Sequence, residues 1–161
     1  MSEPARPRRK FLCVVDATPE CKVAVRYAAR RAQATRGIVT LLHVIERDDI
    51  QEWAAVEQTM REEARAEAER LLHEHARVVN EITGATPELV IREGRAGDQL
   101  MTLIKEDRAI SILILAAGTG KDGPGPLVAR VAGPVAAHYP IPVTIVPGSL
   151  TDDQVDALSA P

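Results

Sequence analysis

The chain opens its folded part with a continuous apolar run, Phe11-Leu12-Cys13-Val14-Val15, closed by Asp16. A short unbroken run of this kind predicts a strand buried on both faces. Cys21, Ala24, Val25, Ala28, Ala29 and Ala32 then recur at the i, i+3, i+4, i+7 spacing of one helix face, with Arg26, Arg30 and Arg31 opposite and Gly37 as the expected stop. Val39 to Ile45 predicts a second buried strand, and strand, helix, strand at this spacing predicts a parallel crossover. From Gln51 to Ile82 the residues Trp53, Val56, Met60, Ala64, Ala68, Leu71, Leu72, Ala76 and Val79 recur near the helical period, predicting a long amphipathic helix. Glu57, Arg61, Glu62, Arg65, Glu69 and Arg70 form its solvated face.

Leu89-Val90-Ile91 predicts a third strand. Leu100, Leu103 and Ile104 mark a third helix, which Asp98 is placed to cap. Ile110 to Leu115 predicts a fourth strand; Val128, Val131, Ala132 and Val135 a short helix; and Val143 to Val146 a fifth strand. A mid-helix proline removes a hydrogen bond and costs about 3 kcal/mol, so Gly133-Pro134 predicts a kink or a late start there. The expected class is α/β: five strands in an open parallel sheet, with four helices.

Length and composition narrow this. At 161 residues the chain suits one domain, placed at residues 10–147, with a basic tail (1–9, carrying Arg6, Arg8 and Arg9) and an acidic tail (148–161, carrying Asp152, Asp153 and Asp156). Both tails, Lys10 at the join included, are expected to be solvated and without specific partners. Aromatic residues are only 2% of the chain, so the core is aliphatic and there are too few rings for stacking single-stranded nucleic acid. The net charge of −3 gives no global attraction to nucleic acid or an anionic membrane. No apolar stretch approaches the roughly 20 residues of a membrane span and no secretory leader is evident, which predicts a cytoplasmic protein. Cys13 and Cys21 lack Cys-x-x-Cys spacing and are read as buried filler.

In an open parallel sheet, ligands bind beyond the carboxyl ends of the strands where strand order reverses. Two strand ends carry suitable residues: Asp16-Ala17-Thr18 after the first strand, and the stretch Gly118 to Gly125, interrupted by Lys121 and Pro124, after the fourth. Glycines let backbone amides approach an anion closely, and Lys121 adds a full charge. The alternative reading of the same stretch is a flexible turn. Gly118-x-Gly120-x-x-Gly123 matches the dinucleotide pattern by letter, but it follows the fourth strand and no acidic residue ends a strand about 20 residues later. Gly120-Lys121 fails as a nucleotide-triphosphatase loop because Leu115 and Asp122 stand where glycine and serine or threonine are required. The histidines His43, His73, His75 and His138 are not spaced as metal ligands, and no serine, threonine or cysteine has a base beside it, so no catalytic residue and no metal site is expected.

Taken together, Val14-Val15-Asp16, Leu41-Leu42-His43-Val44, the apolar strand before Gly118, and Pro140-Ile141-Pro142-Val143 resemble the universal stress protein family, over about Lys10 to Val146. The resemblance implies a Rossmann-like sheet in the order 3-2-1-4-5 with helices on both faces, and a homodimer joined through the last strand, Val143 to Val146. It also implies that Asp16 with Ala17 and Val44 flank the adenine of a bound nucleotide such as ATP, held without efficient turnover. The family's phosphate pattern, Gly-x-x-Gly, nine residues, then Gly-Ser, is not kept. Its last pair falls on Ala129-Arg130. Gly118, Gly120, Gly123 and Gly125, with Lys121 and Arg130 as cations, are the candidates for a remodelled anion site. The alternative is a nucleotide-free dimeric interaction protein of the same fold, and an enzyme is the least favoured reading.

Overall fold

The computed structural model describes residues 7–46 and 58–161. Their strands are β1 (Lys10–Val14), β2 (Ile38–Glu46), β3 (Glu88–Gly94), β4 (Ile110–Ala117) and β5 (Val143–Pro147). All pairings are parallel and the order is β3-β2-β1-β4-β5. The helices are α1 (Cys21–Thr35), α2 (Gln58–Thr83), α3 (Ala96–Glu106), α4 (Pro126–Ala132) and α5 (Asp152–Ser159), with a 3-10 turn over Pro134–His138. The break at Gly133-Pro134 thus falls where the proline predicts it.

The alternation of side chains across the strands divides the core in two. Phe11, Cys13 and Val15 of the β1 segment, Val39 and Leu41 of β2 and Ile114 of β4 face α1, α2 and α5. Leu12, Leu42, Val44, Leu113 and Leu115 face α3 and α4. Both faces are covered, which is why the strands read as unbroken apolar runs.

Several expectations are corrected. Gly37 is not the left-handed residue that ends α1: Arg36 is, at φ 58°. Glycine is required at 37 because a Cβ there would lie 2.6 Å from the Phe11 ring. Trp53, Val56 and Glu57 lie outside the described residues. In the described part of the long helix Met60 is exposed, and the buried stripe is Ala68, Leu71, Leu72, His75, Ala76 and Val79. His75 therefore belongs to the core, and burial lowers its pKa. Asp98 does not cap α3. Arg95 holds the N-cap position without a side-chain bond, and Asp98 sits in the first turn, 3.5 Å from Arg130.

The charged ends are partnered. Arg8 donates to the carbonyls of Arg36 and Gly37, and Lys10 bridges Glu88 at 2.6 Å and Asp107 at 2.7 Å. The acidic end forms α5, opened by a capping box in which the Gln154 amide donates to Thr151 Oγ1 and the Thr151 amide to Gln154 Oε1. Its Val155 is buried in the core, and Asp156 accepts a two-pronged bond from Arg26 at 2.8 Å plus a second from Arg30 at 3.0 and 3.3 Å. Sequence-local charge suggests a solvated tail, but two arginines one turn apart on α1 make a receptor for this carboxylate.

Arg26, with Arg30, holds the Asp156 carboxyl down at about 2. A pKa depressed on folding stabilises the native state above the unfolded value, about 3.9, and this contribution disappears as pH falls through the folded value. The melting-temperature gap between the wild type and Asp156→Asn is therefore expected to be full at pH 5 and to close between about pH 4 and 2. Scanning calorimetry across that range checks it.

Candidate functional site

The carboxyl ends of β1, β2 and β4 converge on a cleft of about 300 Å³. Strand order reverses there: β1 is followed in sequence by β2 on one side, while β4 pairs with it on the other. This crevice is where open parallel sheets bind ligands. Its floor is Val14 and Val15 from β1, Val44 from β2, and Leu115 and Ala116 from β4. Ala96 of α3 and Leu127 and Val128 of α4 close one side. Asp16, Glu20, His43 and Glu46 stand at the polar rim.

Local structure fixes these groups. The Val15 amide donates to Leu42 O at 2.7 Å, continuing the ladder one residue past β1 and placing Asp16 at the mouth. The Thr18 amide (2.9 Å) and hydroxyl both donate to Asp16 Oδ1, an Asx turn that orients the carboxylate and leaves Oδ2 as an acceptor. His43 Nδ1 lies 2.7 Å from Val15 O. A carbonyl only accepts, so Nδ1 carries a proton and donates. Cys13 and Cys21 are free and buried, with both sulfurs within 3.9 Å of Val14 O. Burial pushes the Cys13 thiol well up and that of Cys21 to about 12, so neither offers a thiolate near neutral pH.

The glycine stretch differs from an open cradle of amides. The Gly118 amide donates to Pro124 O at 3.0 Å and the Gly123 amide to Gly120 O at 3.2 Å, so the loop folds on itself. Gly123 and Gly125 need glycine, at φ +81° and +108°. Only its last part, Pro124, Gly125 and Pro126, reaches the cleft, and two of these three residues have no N–H.

Of the residues expected from the sequence, Asp16, Val44 and Gly125 meet in the cleft. Ala17 is exposed beside Asp16, and Gly118, Gly120, Lys121 and Gly123 lie in the part of the loop that does not line it. Arg130 turns towards α3: it reaches Asp98, and its guanidinium would lie 2.6 Å from a Cβ on Gly97. Sequence reasoning passed over Glu20 and Glu46 as site residues and read His43 only as core. The available signal was position, because residues one or two places beyond a strand end, or just before a helix that follows one, face this crevice. Among the described residues no group of three histidine, cysteine, aspartate or glutamate side chains is placed to hold a metal ion, and no helix is long and apolar enough to cross a membrane.

The family model described as the universal stress protein family matches residues 7–147, and α5 lies beyond the match. Among solved structures, the chain is similar to universal stress protein UspA from Lactobacillus plantarum, with TM-score 0.72 and 18% identity, covering 88% of this chain and 99% of that one. A universal stress protein in complex with cAMP gives TM-score 0.59 and 17% identity, with 88% and 98% covered. The universal stress protein from Archaeoglobus fulgidus in complex with dAMP gives TM-score 0.57 and 15% identity, with 86% and 97% covered. These likenesses show a shared fold. No curated protein matches the chain.

Proposed function

Since the chain belongs to the universal stress protein family, we propose that it is a stress-response binding module holding an adenine nucleotide in the β1/β2/β4 cleft, without efficient turnover. The observation that carries this reading is the cleft itself: an apolar slot between Val44, Leu115 and Val128, with the oriented Asp16 carboxylate at its mouth. An apolar slot takes a flat purine, and a carboxylate oxygen at its edge accepts from an exocyclic amine or a ribose hydroxyl. Relatives of the same fold solved with cAMP and dAMP add support. Among the described residues no cysteine offers a thiolate near neutral pH, and binding is the reading this favours. Isothermal calorimetry with AMP tests the proposal. Saturable heat with one site per chain is expected; no heat at millimolar AMP rejects it.

A second reading, a homodimer through β5, is favoured by the edge position of that strand and by Ile145, a large apolar side chain left 37% exposed there. Unpaired strand edges recruit partners, and a second copy of the same edge is the one always available. Sedimentation should give a dimer that Ile145→Pro dissociates, because proline removes a backbone donor. A monomeric wild type would reject it.

A further inference from the structure

Glu20 lines the cleft where the glycine loop begins. Its Cβ lies 2.6 Å from the place a Cβ on Gly148 would take, and its Oε1 lies 2.9 Å from that of Gly118. The side chain therefore crosses the start of the glycine loop, wedged between two backbone segments. Its partner groups are absent: among the described residues no side chain or amide donates to the Glu20 carboxylate. Asp16 and Glu46 share the same rim.

The groups that would offset this charge point elsewhere. Arg130 is engaged with Asp98 and lies over Gly97, and Lys121 is exposed on a part of the loop that does not line the cleft. The Gly118 and Gly123 amides are used inside the loop, and Pro124 and Pro126 have none. Among the described residues the cleft is lined by three carboxylates, Asp16, Glu20 and Glu46, and by no lysine or arginine.

We propose that the cleft selects adenosine and singly phosphorylated adenosine over ATP, and that Glu20 is the residue that discriminates. This rests on the adenine reading above. Repulsion grows with the charge of the phosphate tail, so the ligand series ranks by charge, and neutralising Glu20 relieves ATP most.

The test is calorimetry with adenosine and with ATP in magnesium-free buffer, on the wild type, Glu20→Gln and Lys121→Gln. Wild-type ATP affinity is expected to be about tenfold or more below that of adenosine, and Glu20→Gln is expected to recover most of that ratio. Lys121→Gln should leave the ratio where it was. ATP binding as tightly as adenosine to the wild type, or a ratio unmoved by Glu20→Gln, overturns the proposal while leaving the adenine reading standing. Failure of both ligands to bind the wild type overturns both.

Discussion

Replacing Leu113 by alanine is expected to lower the unfolding free energy by about 2–5 kcal/mol, the range for a large-to-small change in a packed core. Leu113 is fully buried in β4, which pairs with β1 on one side and with β5 on the other, and its side chain packs in the layer beneath α3 and α4. Both neighbouring elements are themselves held by backbone ladders, so the cavity has little means of collapsing. For a domain of this size each kcal/mol corresponds to roughly 2–4 °C, so the melting temperature should fall by about 4–20 °C. Leu113 does not line the cleft. At a temperature where the variant is fully folded, its AMP affinity should therefore equal that of the wild type. A loss below 1 kcal/mol in a denaturant titration would mean that the centre of the sheet is not packed as described.

Asp16→Ala is expected to weaken adenosine binding by about 10- to 100-fold, since a hydrogen bond to a charged group contributes about 1.5–3 kcal/mol and each 1.4 kcal/mol is tenfold. Adenosine is the appropriate probe because it carries no phosphate, so removing a negative charge brings no electrostatic gain. The carboxylate is already oriented by Thr18, so its bond to a ligand costs little further ordering. The fold should tolerate the change, as Asp16 is exposed and outside the core. Unchanged adenosine affinity in calorimetry, with an unchanged melting temperature in the absence of ligand, would remove Asp16 from the site.

The parts of the fold legible in the sequence are those whose signal is local. Phe11 to Val15 and Ile110 to Leu115 read as strands because a parallel sheet covered on both faces leaves no polar alternation. Val44 came only through the family resemblance, but Asp16 was legible because a strand end locates a crevice before any contact is known. Helix α5 was not. Its core anchor is Val155, and its remaining support comes from Arg26 and Arg30, more than 120 residues earlier in the chain. Thr151 and Gln154, three apart, were the local trace it left.

The glycine loop misled for a different reason. Glycine content predicts conformational freedom, but whether the freed amides face a ligand depends on where the chain turns. Here Gly118 and Gly123 spend their donors on Pro124 and Gly120. The interleaved prolines, visible from the start, were the sign that this loop offers a ligand few donors. The same shift of attention, from glycine count to donor count, is what brings out Glu20.

In the proposed complex the adenine lies between the ends of β1, β2 and β4. Titration of isotopically labelled protein with AMP, followed by amide chemical shifts, tests it most directly. Saturable shifts are expected at Asp16, Val44, Gly125 and Leu127. Unmoved amides there, with shifts gathering elsewhere, for example around Arg30 and Asp156 in the hollow between α1 and α5, would contradict this placement of the adenine.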